Sequence, residues 1–323
     1  MSRFRFAFFV LGLAALLPRA EVSAQPAPVK AHSALVHCVA VSPDGKLLAT
    51  AGFDNAVKLW EINSDGTIKE KEKKTLTGHT GPVYAVAFHP TDGNLVATVS
   101  QDKTGRVWNI SEGKTKFELK GHTDVVETVA FSPDGKLLAT AGADKGVRMW
   151  GAADGKEVKN LGAHDGSVYS VAFSPDGKLL ATAGAGKDNL VKLWSVKDQK
   201  ELKPLKGHEQ PVTCVAFAGD DKLVTTSMDR TIRVWDAAGA KELKKLGPTA
   251  DDPYSVAWSP KAKRAAVCGY SGLVTVWDLE SDKPKLTRAV KNPGYCVAIS
   301  PDGKTAYTGH DNGTVAVTPT SGK

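Results

Sequence analysis

The sequence predicts an all-β protein: seven repeats of a four-stranded antiparallel sheet, packed face to face around an axis and closed into a ring. Three observations carry that prediction. The segments VSPDGKLLATAG (Val41 to Gly52), FSPDGKLLATAG (Phe131 to Gly142) and its identical copy Phe173 to Gly184 differ only in their first residue. Tryptophans recur at Trp60, Trp108, Trp150, Trp194, Trp235 and Trp277, roughly 41 to 48 residues apart, the period of a four-stranded propeller blade. The apolar runs are short, rich in Val, Ala, Leu and Thr, and bounded by Gly, Pro and Asp, which marks strands and not helices.

Each element follows from local chemistry. In the unit from Gly121 to Trp150, Val126 to Phe131 forms a strand and Ser132-Pro133-Asp134-Gly135 a turn. Leu137 to Ala141 forms the next strand, Asp144 marks the second turn, and Trp150 ends the third strand. A polar run before each Gly-His pair, such as Lys114 to Lys120 or Lys200 to Lys206, supplies the outermost strand of the preceding unit. Such a sheet exposes two apolar faces and needs a neighbour on each side; a ring satisfies all seven and leaves only short outer edges. A seventh unit, Tyr295 to Thr318, keeps the turn Ser300-Pro301-Asp302-Gly303 but lacks the tryptophan. Only Pro319 to Lys323 follow it, too few for a fourth strand, so Pro26 to Ala31 is expected to supply that strand and close the ring. Two prolines are tolerable on such an edge.

The Gly-His to Trp spacing, the Asp six residues before the Trp, and the Trp235-Asp236 and Trp277-Asp278 ends resemble the WD-repeat β-propeller family, in an exported, bacterial-type form, over the chain from residue 25 onward. The resemblance implies a hydrogen-bonded His, Ser/Thr, Asp and Trp tetrad inside each blade. Blade 1 offers His32, Thr50, Asp54 and Trp60; blade 2 His79, Thr98, Asp102 and Trp108; blade 3 His122, Thr140, Asp144 and Trp150. Blade 4 offers His164, Thr182, Asp188 and Trp194, with two extra residues in the turn, and blade 5 His208, Thr225, Asp229 and Trp235. Blade 6 keeps only Trp277, with Thr249, Val267 and Ser271 in the other slots. Blade 7 keeps Asp311 or Asn312 and has Val317 or Thr318 in place of the Trp. These imidazoles and carboxylates are structural: buried together they satisfy one another, and alone each costs a few kcal/mol. The units span residues 32–60, 79–108, 122–150, 164–194, 208–235, 249–277 and 290–318, making residues 25–323 one propeller domain.

Residues 1–24 follow the plan of a secretory signal peptide: Arg3 and Arg5, an apolar core from Ala7 to Leu17, and small residues at Val22-Ser23-Ala24. The core is too short to span a bilayer, so the expectation is export to a periplasm or the extracellular space, cleavage before Gln25, and no membrane insertion afterwards. Loss of Arg3, Arg5, Arg19 and Glu21 lowers the net charge from +7 to +5. Lysines such as Lys46, Lys136 and Lys178 lie in turns, and others such as Lys203, Lys244 and Lys245 on outer strands, where charge protects exposed edges. Scattered in this way they do not form a nucleic-acid footprint. Cys38, Cys214 and Cys296 occupy equivalent positions that ring symmetry keeps apart; only Cys268 with Cys296 is open to pairing, and four free thiols are expected.

No phosphate loop, His-Glu-x-x-His, nucleophile elbow or zinc spacing occurs, so neither a catalytic residue, a metal nor a cofactor is assigned. In WD-repeat proteins the residues three and five after the tetrad His, and the one before the turn Asp, point to the top rim and channel mouth. The plus-five positions here are His37, Tyr84, Glu127, Tyr169, Thr213, Tyr254 and Tyr295; those before the Asp are Phe53, Gln101, Ala143, Lys187, Met228, Tyr270 and His310. Five of six tyrosines thus converge on one face, and rigid aromatic area is enriched at binding hot spots. The expectation is a non-enzymatic scaffold that docks a partner protein or peptide on this rim. Two alternatives remain open: a propeller that binds a small molecule or glycan in the channel mouth, and a propeller enzyme of quinoprotein or lactonase type.

Overall fold

The computed structural model describes residues 26–186, 189–281 and 283–321; the expected signal peptide of residues 1–24 and the Lys187-Asp188 pair lie outside these ranges. The described residues form seven four-stranded antiparallel sheets and no helix. Blade 3 shows the plan, strand a (Val126–Phe131) pairing with b (Leu137–Gly142), b with c (Gly146–Gly151), and c with d (Glu157–Ala163). The a strands face one another in a closed cycle that includes blade 7 against blade 1. Blade 7 takes three strands from the end of the chain, Gly294–Ile299, Thr305–His310 and Thr314–Pro319, and its fourth, Val29–Lys30, from the beginning. Val29 pairs with Val315 and Lys30 with Thr314, so the N-terminal strand closes the ring as the sequence predicts.

In blades 1, 3, 4 and 7 the a–b hairpin is fixed by the Ser-Pro-Asp-Gly turn. The Ser132 hydroxyl donates to Asp134 Oδ1 at 2.7 Å, and Asp134 in turn accepts from the Lys136 amide at 3.0 Å. The Leu137 amide donates to Ser132 Oγ at 2.9 Å. Gly135 sits at φ +71°, and a Cβ there would lie 2.3 Å from the His89 ring of blade 2. The turn therefore needs glycine twice, for its backbone and for the neighbouring blade.

Apolar packing runs between blades. Trp150 and Leu138 of blade 3 share a buried cluster with Val99, Val107 and Leu119 of blade 2. Inside each regular blade the four tetrad groups are joined as expected. In blade 3 His122 Nδ1 lies 2.9 Å from Asp144 Oδ2, its Nε2 lies 2.8 Å from Thr140 Oγ1, and Trp150 Nε1 donates to the same hydroxyl at 2.8 Å. Blades 1, 2 and 5 repeat this set within 0.2 Å, with Trp-to-Thr distances of 3.0, 2.8 and 2.9 Å. In blade 4 His164 and Trp194 meet Thr182 at 2.7 and 2.9 Å; its Asp188 is outside the described residues. One proton arrangement satisfies every group: neutral imidazole donates from Nδ1 to the carboxylate, the threonine hydroxyl donates to Nε2, and indole donates to the hydroxyl. Burial lowers the His32, His122 and His208 pKa values despite the adjacent carboxylates, and takes His164 to about 4. Burial would raise Asp229, but hydrogen bonds from Thr231 and His208 outweigh it and hold the carboxyl at about 2.

Blades 6 and 7 depart from the pattern in ways that register makes explicit. Trp277 Nε1 donates to Thr275 on its own strand, at 2.9 Å, because Val267 replaces the tetrad threonine. In blade 7 Ala306 pairs with Thr318 as Leu138 pairs with Trp150, so Thr318, and not Val317, holds the tryptophan position. Its Oγ1 is buried without a hydrogen-bond partner. Asn312 Oδ1 caps the b–c turn, accepting from the Thr314 amide at 3.1 Å as Asp144 accepts from Gly146, which assigns Asn312 and not Asp311 to the Asp slot. Val290 stands where the tetrad histidine would be, and His310 reaches the threonine instead, with its Nε2 2.9 Å from Thr308 Oγ1. His310 is therefore an interior group, 1% exposed, and not a rim residue. Fixed-offset counting misplaces it because it pairs with Gly294, the register of Gly142 opposite Val126.

Candidate functional site

The first strand of every blade carries the same irregularity. In blade 1 Val36 pairs with Gly52 and Cys38 with Ala51, leaving His37 without a partner. The same skip occurs at Tyr84, Glu127, Tyr169, Thr213, Tyr254 and Tyr295. A regular strand sends consecutive side chains to opposite faces; a bulge breaks that alternation and re-aims a side chain. The result is that each blade gives two consecutive residues to one central bowl of about 310 Å³, such as His37 with Cys38 and Tyr169 with Ser170. All seven plus-five residues named from the sequence line this bowl.

In every blade but the second, where it is Ala85, the second residue of the pair ties neighbouring blades together. Thr128 accepts from the Val171 amide at 3.3 Å, Ser170 from Val215 at 3.2 Å and Ser255 from Val297 at 3.2 Å. Where the residue is cysteine, the thiol donates onward, Cys38 to the Val86 carbonyl at 3.8 Å and Cys214 to Val256 at 3.6 Å. The four cysteines are free thiols, and burial pushes Cys38 up to about 11 and raises Cys268 and Cys296 as well. Cys38, Cys268 and Cys296 are thus far from the thiolate that redox or nucleophilic chemistry needs.

The bulge residues form an aromatic arc. Tyr254 and Tyr295 stack with ring centroids 5.5 Å apart, Tyr295 lies 6.4 Å from His37, and His37 lies 4.7 Å from Tyr84. Phe53, from the b–c turn of blade 1, packs 5.4 Å from His37 and 5.0 Å from Tyr84. His37 Nδ1 lies 2.7 Å from the Tyr84 carbonyl, which fixes it as the donor there, and burial lowers its pKa so that the ring is neutral. Thr213 is also committed, donating to the Pro253 carbonyl at 2.7 Å. Glu127 is different: it makes no hydrogen bond or ion pair with any described residue. Burial and the nearby Asp124 raise its carboxyl to about 7, and Glu127 in turn adds to the burial that raises Tyr84 and Tyr169.

Above the bowl the b–c turns supply an outer rim. The Phe53, Gln101, Ala143, Met228 and Tyr270 amides each donate to the carbonyl of the plus-three residue of their blade, at 2.8 to 3.3 Å. Gln101, Met228 and Tyr270 are exposed, Tyr270 at 62%. In blade 4 the residue making this bond is Ala185, to Ser167 at 2.8 Å; Lys187 falls in the two-residue insertion, outside the described residues. In blade 7 the place belongs to the exposed Asp311, one residue before Asn312. Sequence counting passed over Ala185 because it stepped back one residue from Asp188, into the insertion, and over Asp311 because it stepped back from Asp311 itself and not from Asn312. Among six tyrosines the remaining one, Tyr307, is fully buried and donates to the Gly66 carbonyl at 2.9 Å.

Chemically the bowl offers aromatic faces, a few committed hydroxyls and a lone carboxylate. It contains no nucleophile paired with a free base. Among the described residues no group of three or more His, Cys, Asp or Glu is placed to hold a metal ion, and no helix is long and apolar enough to cross a membrane.

Comparison with known proteins agrees with this geometry. The family model described as "WD domain, G-beta repeat" matches seven times, at residues 25–61, 70–109, 113–151, 155–195, 199–236, 240–278 and 290–317. Among curated relatives, Coronin-7 of Homo sapiens is 34% identical over 109 residues, 33% of this chain and 12% of that protein. Nuclear distribution protein PAC1 of Komagataella phaffii is 35% identical over 83 residues, 26% of this chain and 16% of that protein. Cross-pathway control WD-repeat protein 2 of Flammulina velutipes is 35% identical over 104 residues, 32% of this chain and 31% of that protein. The aligned segments thus span less than a third of each of these relatives. With seven matched repeats, seven blades and closed tetrads in the regular ones, the chain belongs to the WD40-repeat family of β-propellers.

Proposed function

We propose that this propeller is a non-enzymatic interaction scaffold that docks a segment of a partner protein in the bowl at its channel mouth. The observation that carries the reading is the bulge: seven times over, it turns one side chain out of the sheet pattern toward a common centre, and four of the seven are tyrosines. Packing alone does not require this, since the plus-six residues already join the blades. Tyrosine gives large, rigid contact area at low entropic cost. Replacing Tyr84, Tyr169, Tyr254 and Tyr295 by Ala is expected to abolish capture of the partner. Each is half-buried, so Tyr169→Ala alone is expected to shift the melting temperature by only a few degrees. Undiminished capture by the fourfold variant rejects the reading.

The proposal includes export. The Arg3/Arg5 start, apolar core and small residues before Gln25 support it. Intact mass of the protein from expressing cells is expected to correspond to a chain beginning at Gln25; a retained leader in the cytoplasmic fraction contradicts it.

A further inference from the structure

Glu127 is the charged side chain of the bowl. It sits on the bulge of blade 3, flanked around the ring by Tyr84 of blade 2 and Tyr169 of blade 4, and no lining residue carries a positive charge. His37 is neutral and its Nδ1 is spent on the Tyr84 carbonyl. An unpaired carboxylate in a half-buried aromatic setting is costly, and glutamine at this position would remove that cost while keeping the shape. The retained charge calls for a cation from outside. Aromatic rings at the same place strengthen the demand, because ring faces attract ammonium and guanidinium groups, most strongly when these are desolvated.

We propose that the bowl seats one positively charged side chain of the docked segment, a lysine ammonium or an arginine guanidinium, against Glu127 between Tyr84 and Tyr169. This rests on the reading of the bowl as a docking surface and names what that surface selects. The groups facing Glu127 are Tyr84 on one side, Tyr169 on the other and Asp124 on its own loop. None of them is cationic, and Asp124 adds to the negative potential. A carboxyl raised to about 7 is ionised at pH 8 and largely protonated at pH 6, so affinity for the cation falls on acidification.

The test titrates the full chain at pH 8 with three acetylated, amidated tripeptides, Gly-Lys-Gly, Gly-Arg-Gly and the neutral Gly-norleucine-Gly, following ring resonances assigned to Tyr84 and Tyr169. At least one cationic peptide is expected to bind about tenfold tighter than the norleucine peptide, a preference of about 1.4 kcal/mol. Glu127→Gln, checked for an unchanged fold, is expected to cut that preference to under about twofold, as is moving the native protein to pH 6. Equal binding of all three peptides overturns the cation inference while leaving docking intact. Binding of none overturns it as well, and the fourfold tyrosine variant then decides docking independently. A cation preference undiminished in Glu127→Gln also overturns it.

Discussion

Trp150→Ala is expected to destabilise the chain by about 3 to 5 kcal/mol, the range for removing a buried large aromatic side chain. Trp150 is 1% exposed and fills the space between blades 2 and 3 against Leu119, Leu138 and Val99. Its indole also donates to Thr140 Oγ1, so truncation leaves a cavity and removes one donor from a closed set. Trp150→Phe separates the two effects: it keeps most of the volume and loses the N–H, for about 1 to 2 kcal/mol. Trp277 provides the contrast, since its indole serves only Thr275 on the same strand and closes no tetrad. Trp277→Phe is expected to cost less than Trp150→Phe. Urea unfolding followed by far-ultraviolet circular dichroism measures all three; a Trp150→Ala cost below about 1 kcal/mol would remove the tetrad column from the account of stability.

Acidification is the second large effect, and its sign follows from the tetrads. His32, His122 and His208 have folded pKa values below the ordinary 6.5, and His164 is near 4. Below pH 6.5 the unfolded chain therefore binds protons that the folded chain refuses, and stability falls until the folded values are passed. The carboxylates act next. Asp54, Asp102, Asp144 and Asp229 are depressed below 3.8, Asp229 to about 2, so their contribution is present above pH 4 and is lost as the pH falls through the folded values. Asp229 alone is worth on the order of 2 kcal/mol. Glu127 opposes this trend, since its carboxyl is raised to about 7 on folding and gains stability as the pH falls toward its ordinary 4.5. In Glu127→Gln, which removes that gain, urea midpoints are expected to fall continuously from pH 7 to pH 3, and a further His164→Gln to flatten the upper part of the decline. A profile level between pH 6.5 and pH 4 in Glu127→Gln would mean that the buried imidazoles do not titrate as their neutral hydrogen bonding requires.

The frame of this molecule was legible because it is repetitive. Tryptophan period, Ser-Pro-Asp-Gly turns and Gly-His pairs each encode a local structure, and seven copies leave the ring as the way to bury both faces of every sheet. The seven bowl residues were legible for the same reason, through a fixed offset from the tetrad histidine. Where the repeat is broken, counting fails. The two extra residues in the blade 4 turn shift the rim position from Lys187 to Ala185, and the missing histidine of blade 7 is replaced from a different strand by His310. The bulges were not legible at all: two consecutive residues such as Glu127 and Thr128 turn toward one bowl only after the pairing register is known. That register also separates Glu127, which no neighbour satisfies, from Thr213, whose hydroxyl is already committed.

The most direct test of the bowl as the working surface is the dissociation constant of an isolated partner. It should be measured for the native chain, for the variant with Tyr84, Tyr169, Tyr254 and Tyr295 replaced by Ala, and for Leu243→Ala. Leu243 is 49% exposed and borders the groove between blades 5 and 6, away from the bowl. With folding verified for each, the fourfold variant is expected to bind at least about a hundredfold more weakly, the loss of two hot-spot contacts or more, and Leu243→Ala to bind as the native chain does. Native affinity in the fourfold variant, with a loss in Leu243→Ala, would contradict the account and move the docking surface to that groove.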